Sequence, residues 1–178
     1  MNILGVSTQL YVWSQMPDSA SKGLAGELKE VKTAGFEAFE TNLSIVSDAE
    51  KAKKVKLLLE DYNLQISSLY SGGTFHINEL AQTSISDIFN SASFASNLGV
   101  RSVTLNPNPR SEGGEKTSDE LNIQANNLNN LGKMLYDSYG MSLYIHNHTP
   151  EIVNNAREFR SYCDLTDPMY VNVCIDVH

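Results

Sequence analysis

The chain is poor in cysteine: Cys163 and Cys174 are the only two in 178 residues, too few for a disulfide framework and without CxxC spacing. Both thiols are expected to be buried as small hydrophobes in a reduced, cytoplasmic setting. Positive charge is scarce as well. The 13 Lys and Arg stand against 21 Asp and Glu, a formal net charge of −8. That balance repels nucleic acid and anionic membrane surfaces over most of the molecule, so neither is expected as a partner. No apolar run approaches the roughly 18 residues that a membrane-spanning helix needs, and Met1-Asn-Ile-Leu-Gly carries no basic leader region. No GxGxxG follows the first strand-like segment and no GxxxxGK[ST] occurs, which removes support for the nucleotide-binding α/β sheets. There is no low-complexity stretch and no Pro/Gly-rich linker. A single domain over residues 1–178 is expected.

What is present is an alternation. Helix-like stretches end at Gly or Asn and short apolar strands follow. Leu24, Leu28 and Val31 have helical spacing, Gly35 stops them, and Phe36-Glu-Ala-Phe-Glu40 follows. Ser47-Asp-Ala-Glu50 has capping-box form before Val55, Leu58, Leu59 and Tyr62. Ile85, Ile88, Phe89, Ala92 and Ala95 make a third helix. Thr117-Ser-Asp-Glu120 opens a fourth, with Leu121, Leu128, Leu131 and Leu135, and a shorter fifth lies around Ala156 to Cys163. With Ile3-Leu-Gly-Val6 in front, the strands begin near residues 2, 36, 64, 100, 141 and 171, giving six strands and five helices. Each interval holds one βα unit, so the sheet is parallel and covered by helices. Two folds fit: a complete doubly wound sheet, or an eight-stranded barrel short of its last two units, since barrels typically need about 250 residues.

The densest chemistry is Tyr144-Ile-His146-Asn-His148-Thr-Pro-Glu151, at the end of the fifth strand. Side chains alternate along a strand, so His146 and His148 share a side while Asn147 points away. Two imidazoles at a strand end, with a carboxylate three residues on, suit a metal or acid–base cluster. Cys174-Ile-Asp176-Val-His178 closes the sixth strand in the same manner. Glu40 ends the second strand, as a pocket acid or a surface charge. Trp13 follows the first strand, as a pocket wall or a packed aromatic. His76 and Arg110 read as solvated loop residues.

Taken together, these segments resemble the xylose-isomerase-like TIM barrels (sugar phosphate isomerases and epimerases), a group that also holds inosose dehydratases. The matching residues are Leu4-Gly-Val-Ser-Thr-Gln-Leu-Tyr11, Gly35-Phe-Glu-Ala-Phe-Glu40, Asn63-Leu-Gln-Ile-Ser-Ser-Leu69, His146-Asn-His-Thr-Pro-Glu151 and Val173-Cys-Ile-Asp-Val-His178. The resemblance implies a (β/α)8 barrel of which this chain has about six strands and five helices and lacks strands 7 and 8. It implies a divalent metal (Mn, Mg, Zn or Co) on Glu151 and Asp176, catalytic roles for His146, His148 and Glu151, and substrate contacts from Trp13, Glu40 and His178. In many members the strand-6 Asp is followed by Asp-x-x-His spacing; here Asp-Val-His offsets His178 by one. The implied substrate is a small sugar, keto-sugar or inositol derivative, isomerised or epimerised by removal of a proton next to a carbonyl, or dehydrated after the same step. Open strand edges imply pairing with another copy.

Overall fold

A computed structural model of the chain describes residues 6–16 and 19–176, with residues 19–21 described by their backbone alone. Six strands lie side by side in chain order: β1 (Ser7–Gln9), β2 (Ala38–Asn42), β3 (Gln65–Gly73), β4 (Ser102–Pro107), β5 (Ser142–His146) and β6 (Val171–Cys174). Every adjacent pair is parallel. A doubly wound sheet reverses its strand order partway, typically 3-2-1-4-5-6. The unbroken order here is that of a (β/α)8 barrel, seen as an arc that does not close among the described residues. Residues 1–5 lie outside the described part, and with them most of the strand expected at Ile3–Val6; the described strand starts at Ser7.

Helices α2 (Ser19–Thr33), α3 (Ala49–Tyr62), α4 (Asn78–Ser96), α5 (Ser118–Tyr139) and α6 (Thr149–Leu165) connect the strands, with a 3-10 turn at Leu43–Val46. The helix-facing side of the sheet offers Phe39, Leu69, Val103, Leu105, Leu143 and Ile145. These are buried with Leu28, Val31, Val55, Ile85, Ile88, Leu128, Leu131 and Leu135 in one core. Each such side chain contributes roughly 1.5–3 kcal/mol on burial, so this layer holds the arc together and leaves the opposite face for polar groups. Among the described residues no helix is long and apolar enough to cross a membrane.

Capping chemistry sets the helix ends. Thr117 Oγ1 accepts from the Glu120 N–H at 3.2 Å while Glu120 accepts from the Thr117 N–H at 2.6 Å, the expected box. At α3 the cap is Asp48, one residue later than expected: its carboxylate accepts from the Lys51 N–H at 2.8 Å. A charged acceptor at the N-cap outcompetes the neighbouring serine hydroxyl.

Three further expectations are corrected. A short helix α1 (Leu10–Ser14) follows β1, making six α-helices among the described residues. Helix α6 begins at Thr149 rather than near Ala156, and Val153–Ala156 interrupt it with non-helical backbone. Neither cysteine is buried: Cys163 is exposed and Cys174 half-buried, because they lie on the outer surface of α6 and at an uncovered edge strand.

Candidate active site

The carboxyl ends of the strands surround a cavity of about 670 Å³, lined among others by Gln9, Glu27, Glu40, Tyr70, His146, His148 and Asp176. Its polar walls follow from strand alternation. Phe39, Leu69 and Ile145 go to the core, so Glu40, Tyr70 and His146, one residue on, face the cavity.

His146 and His148 both reach it, their rings 4.7 Å apart and nearly perpendicular at 84°. The Tyr70 ring stands edge-on to His146, with centroids 6.2 Å apart. His146 is buried, and its Nε2 lies 3.5 Å from Asp176 Oδ2. Parallel pairing of β5 with β6, His146 beside Cys174, brings these two strand ends together. Glu40 accepts a hydrogen bond from Gln9 Nε2 at 3.0 Å. Burial lifts its carboxyl above the ordinary range more than the polar groups of Gln9 and Thr104 lower it. Burial likewise raises the Tyr70 hydroxyl, with the charges of Glu40 and Glu151 adding to the effect.

The remaining expected residues that the structure describes, Glu151 and Trp13, sit apart from this cluster. Glu151 is buried, but its carboxylate turns back into the start of α6 and accepts from the His148 N–H at 2.8 Å. Burial raises its pKa further than that bond lowers it. Glu151 thereby fixes the loop that presents His148. Trp13 does not line the cavity; its indole N–H donates to Thr8 Oγ1 at 3.0 Å and its ring packs edge-on against Phe36. His178 lies outside the described residues. His76, read as solvated, is instead buried, because the loop after β3 folds under the start of α5; burial lowers its pKa. Arg110 is half-buried, 3.4 Å from Glu120.

Gln9, Tyr70 and Asn147 belong to the site although the sequence patterns did not single them out. Alternation counted through Ser68 places Tyr70 inward. Asn147 points away from the imidazoles, as alternation requires, but toward the end of β6: its side chain bonds both backbone groups of Asp176, at 3.1 and 2.9 Å.

Among the described residues no three His, Cys, Asp or Glu side chains gather into a metal-binding group. Of the two implied ligands, Asp176 faces the cavity and Glu151 is committed to its helix cap. These residues do not by themselves complete a metal site.

Comparison with known proteins agrees with the geometry. A family model described as xylose isomerase-like TIM barrel matches residues 28–178. An inosose dehydratase from Mesomycoplasma hyopneumoniae (strain 7448) is 25% identical over 187 residues, which cover 97% of this chain and 59% of that protein. The chain therefore spans a little under three-fifths of the length of the curated relatives it matches. Among solved structures, a sugar phosphate isomerase/epimerase from Parabacteroides distasonis superposes with a TM-score of 0.77 at 18% identity, covering 98% of this chain and 70% of that one. A D-psicose 3-epimerase from Clostridium cellulolyticum H10 gives 0.73 at 12% identity, covering 96% and 62%. At these identities the structural likeness establishes the fold.

Proposed function

The chain belongs to the xylose isomerase-like TIM barrel family, and from that premise we propose that its cavity takes a small sugar, keto-sugar or inositol derivative and moves a proton on the carbon next to the carbonyl, as an isomerase or epimerase. The observation that carries this reading is the convergence of His146, His148 and Asp176 on one cavity, opposite Glu40. Asp176 orients the His146 imidazole and stabilises its cationic form, which suits His146 to take the proton. His148 and Tyr70 donate hydrogen bonds to the oxygens on which charge builds in the enediolate. Glu40, on β2, faces the substrate from another wall. Burial raises its pKa above the ordinary carboxylate range, which favours the protonated form that can hand a proton back. Glu151 acts through the loop it caps, keeping His148 in place.

A dehydratase reading is favoured by one specific observation, the likeness to an inosose dehydratase along 97% of the chain. Elimination of water starts with the same proton abstraction and diverges only in the leaving group. Metal dependence is part of the proposal at the level of the family. Asp176 is the residue here that would hold the ion, and the ion would supply positive charge to the enediolate.

The test is solvent exchange. The chain is incubated in D2O with ketohexoses and with an inosose, with and without added Mn2+ or Zn2+, and the proton next to the carbonyl is followed by NMR. Exchange is expected, reduced about 100-fold or more by His146→Ala. A rising ultraviolet absorbance of a conjugated carbonyl identifies dehydration. Elemental analysis after purification without chelator, compared with Asp176→Ala, tests the metal. Absence of exchange under every condition overturns the proposal.

A further inference from the structure

At the end of the sheet, side chains take over from the backbone ladder. The β4–β5 register runs to Leu105 opposite Ile145, and the β5–β6 register to His146 opposite Cys174. Past those points, Asn106 Nδ2 donates to the His146 carbonyl at 3.1 Å. Asn147 then spans the next gap: its Nδ2 donates to the Asp176 carbonyl at 3.1 Å and its Oδ1 accepts from the Asp176 N–H at 2.9 Å. One side-chain amide thus satisfies both backbone groups of a single residue, as a neighbouring strand would. Asn147 is buried, so breaking this pair leaves polar groups without their bonds in a place water reaches poorly. The residue held in this way is the one whose carboxylate stands 3.5 Å from His146 Nε2. It lies beyond the end of β6, a four-residue edge strand.

We infer that Asn147 is a positioning residue: it fixes the backbone of Asp176 so that the carboxylate meets His146. The inference rests on the reading of His146 and Asp176 as a working pair, and the experiment separates the two. In the chain labelled with 15N-histidine, the His146 side-chain nitrogen resonances are recorded at one fixed alkaline pH for the wild type, Asp176→Ala, Asn147→Ala and the double variant. Asn172→Ala serves as the structural control. Its amide also ties β6 to β5, reaching the Leu143 carbonyl at 3.4 Å, but it does so away from Asp176.

The expected result is that Asn147→Ala shifts the His146 resonances in the same direction as Asp176→Ala and adds nothing in the double variant, while Asn172→Ala leaves them in place. That non-additivity marks action through Asp176. If Asn147→Ala leaves the resonances unmoved, or moves them equally with and without the Asp176 carboxylate, the positioning role is overturned and the pair stands. If Asp176→Ala itself leaves His146 unmoved, the pair fails and the inference fails with it. Asn147→Ser, whose single hydroxyl cannot span both backbone groups, replaces Asn147→Ala if the latter does not fold, with the same outcomes expected.

Discussion

Burial acts on Glu40 more strongly than its hydrogen bonds do, and the consequence is a stability that depends on pH. Its carboxyl is raised by desolvation, with Gln9 and Thr104 opposing. A raised pKa means that the folded state keeps a proton which the unfolded chain gives up at the ordinary carboxylate pKa. Stability is therefore lost as pH climbs from that ordinary value through the raised one, and the loss is complete above it. Glu40→Gln keeps the acceptor for Gln9 and removes the charge. It is expected to raise Tm by a few degrees at pH 7–8 and to change little near pH 4, as read by thermal melts at both pH values; a gain of equal size at both would refute the burial account. A buried ion pair lies away from the cavity. Lys116 Nζ sits 2.5 Å from Glu158 Oε1, the lysine side chain only 1% exposed, and the same oxygen accepts from Gln124 and from the Tyr162 hydroxyl. Removing one partner of such a pair strands the other, which costs about 3–5 kcal/mol, whereas replacing both with neutral groups can cost little. Lys116→Met should lower stability by about that amount in urea titrations, and Lys116→Met with Glu158→Gln should recover most of it.

In helix α5, two effects compete at Gly132. Helix propensity favours alanine over glycine by about 1 kcal/mol in a helix interior. A Cβ at this position, however, would lie 2.7 Å from the Tyr170 carbonyl oxygen and 3.1 Å from its carbon, both backbone atoms of the segment leading into β6. Forcing that segment outward costs about 1–3 kcal/mol. Packing wins, so Gly132→Ala is expected to lower Tm by several degrees; a rise would show that the segment yields freely. The same contrast between local signal and tertiary contact explains which elements could be read from the sequence. Strands β2 to β6 and helices α2 to α5 announced themselves through apolar positions and local Gly, Asn or Thr-Glu boundaries, whereas the strand expected at Ile3–Val6 falls mostly outside the described residues and β1, Ser7-Thr-Gln9, has no apolar residue to mark it. Helix α1 did not, being five residues of mixed aromatic and aliphatic character with no side-chain cap. The first turn of α6 was hidden for another reason. Asn154, Asn155 and Ala156 adopt left-handed backbone, with φ of 52°, 60° and 55°, and separate that turn from the helix proper. Asparagine tolerates this conformation and alanine does not favour it, so the break depends on surroundings such as the bond from Asn154 to Glu115. In the site, alternation at the end of β5 made it legible that His146 and His148 share a side, and the end of β6 pointed to Asp176; Glu40 stayed open between pocket acid and surface charge until the fold placed it on the cavity wall. That Glu151 turns into a cap and Asn147 reaches across to β6 depends on loop geometry and on which strand lies next door, and neither is written in residue spacing.

Over the whole molecule, the arc has two edges, and the cavity touches both. β1 and β6 each pair on one side only among the described residues. Gln9, at the end of β1, and Asp176, just past β6, line the same cavity. Apolar side chains stand exposed near each edge: Val6, Tyr11 and Val12 by β1, and Met169, Val173 and Ile175 by β6. An open strand edge with apolar neighbours favours pairing with another chain, and the net charge of −8 acts against it at long range. Salt screens that repulsion, with a Debye length of about 10 Å at 0.1 M, but leaves apolar contact intact. Self-association is therefore expected to strengthen as both protein and salt concentration rise, which light scattering coupled to size exclusion would show. Placing charge on the edge with Val173→Lys and Ile175→Lys should return the chain toward a monomer. Because anything that docks on these edges also walls the cavity, the proton exchange proposed for His146 should rise with the associated fraction and fall in the edge variants, with the Glu40 and Asp176 side chains untouched. If mass stays that of one chain across the range while exchange proceeds, the cavity works open and the pairing argument is wrong.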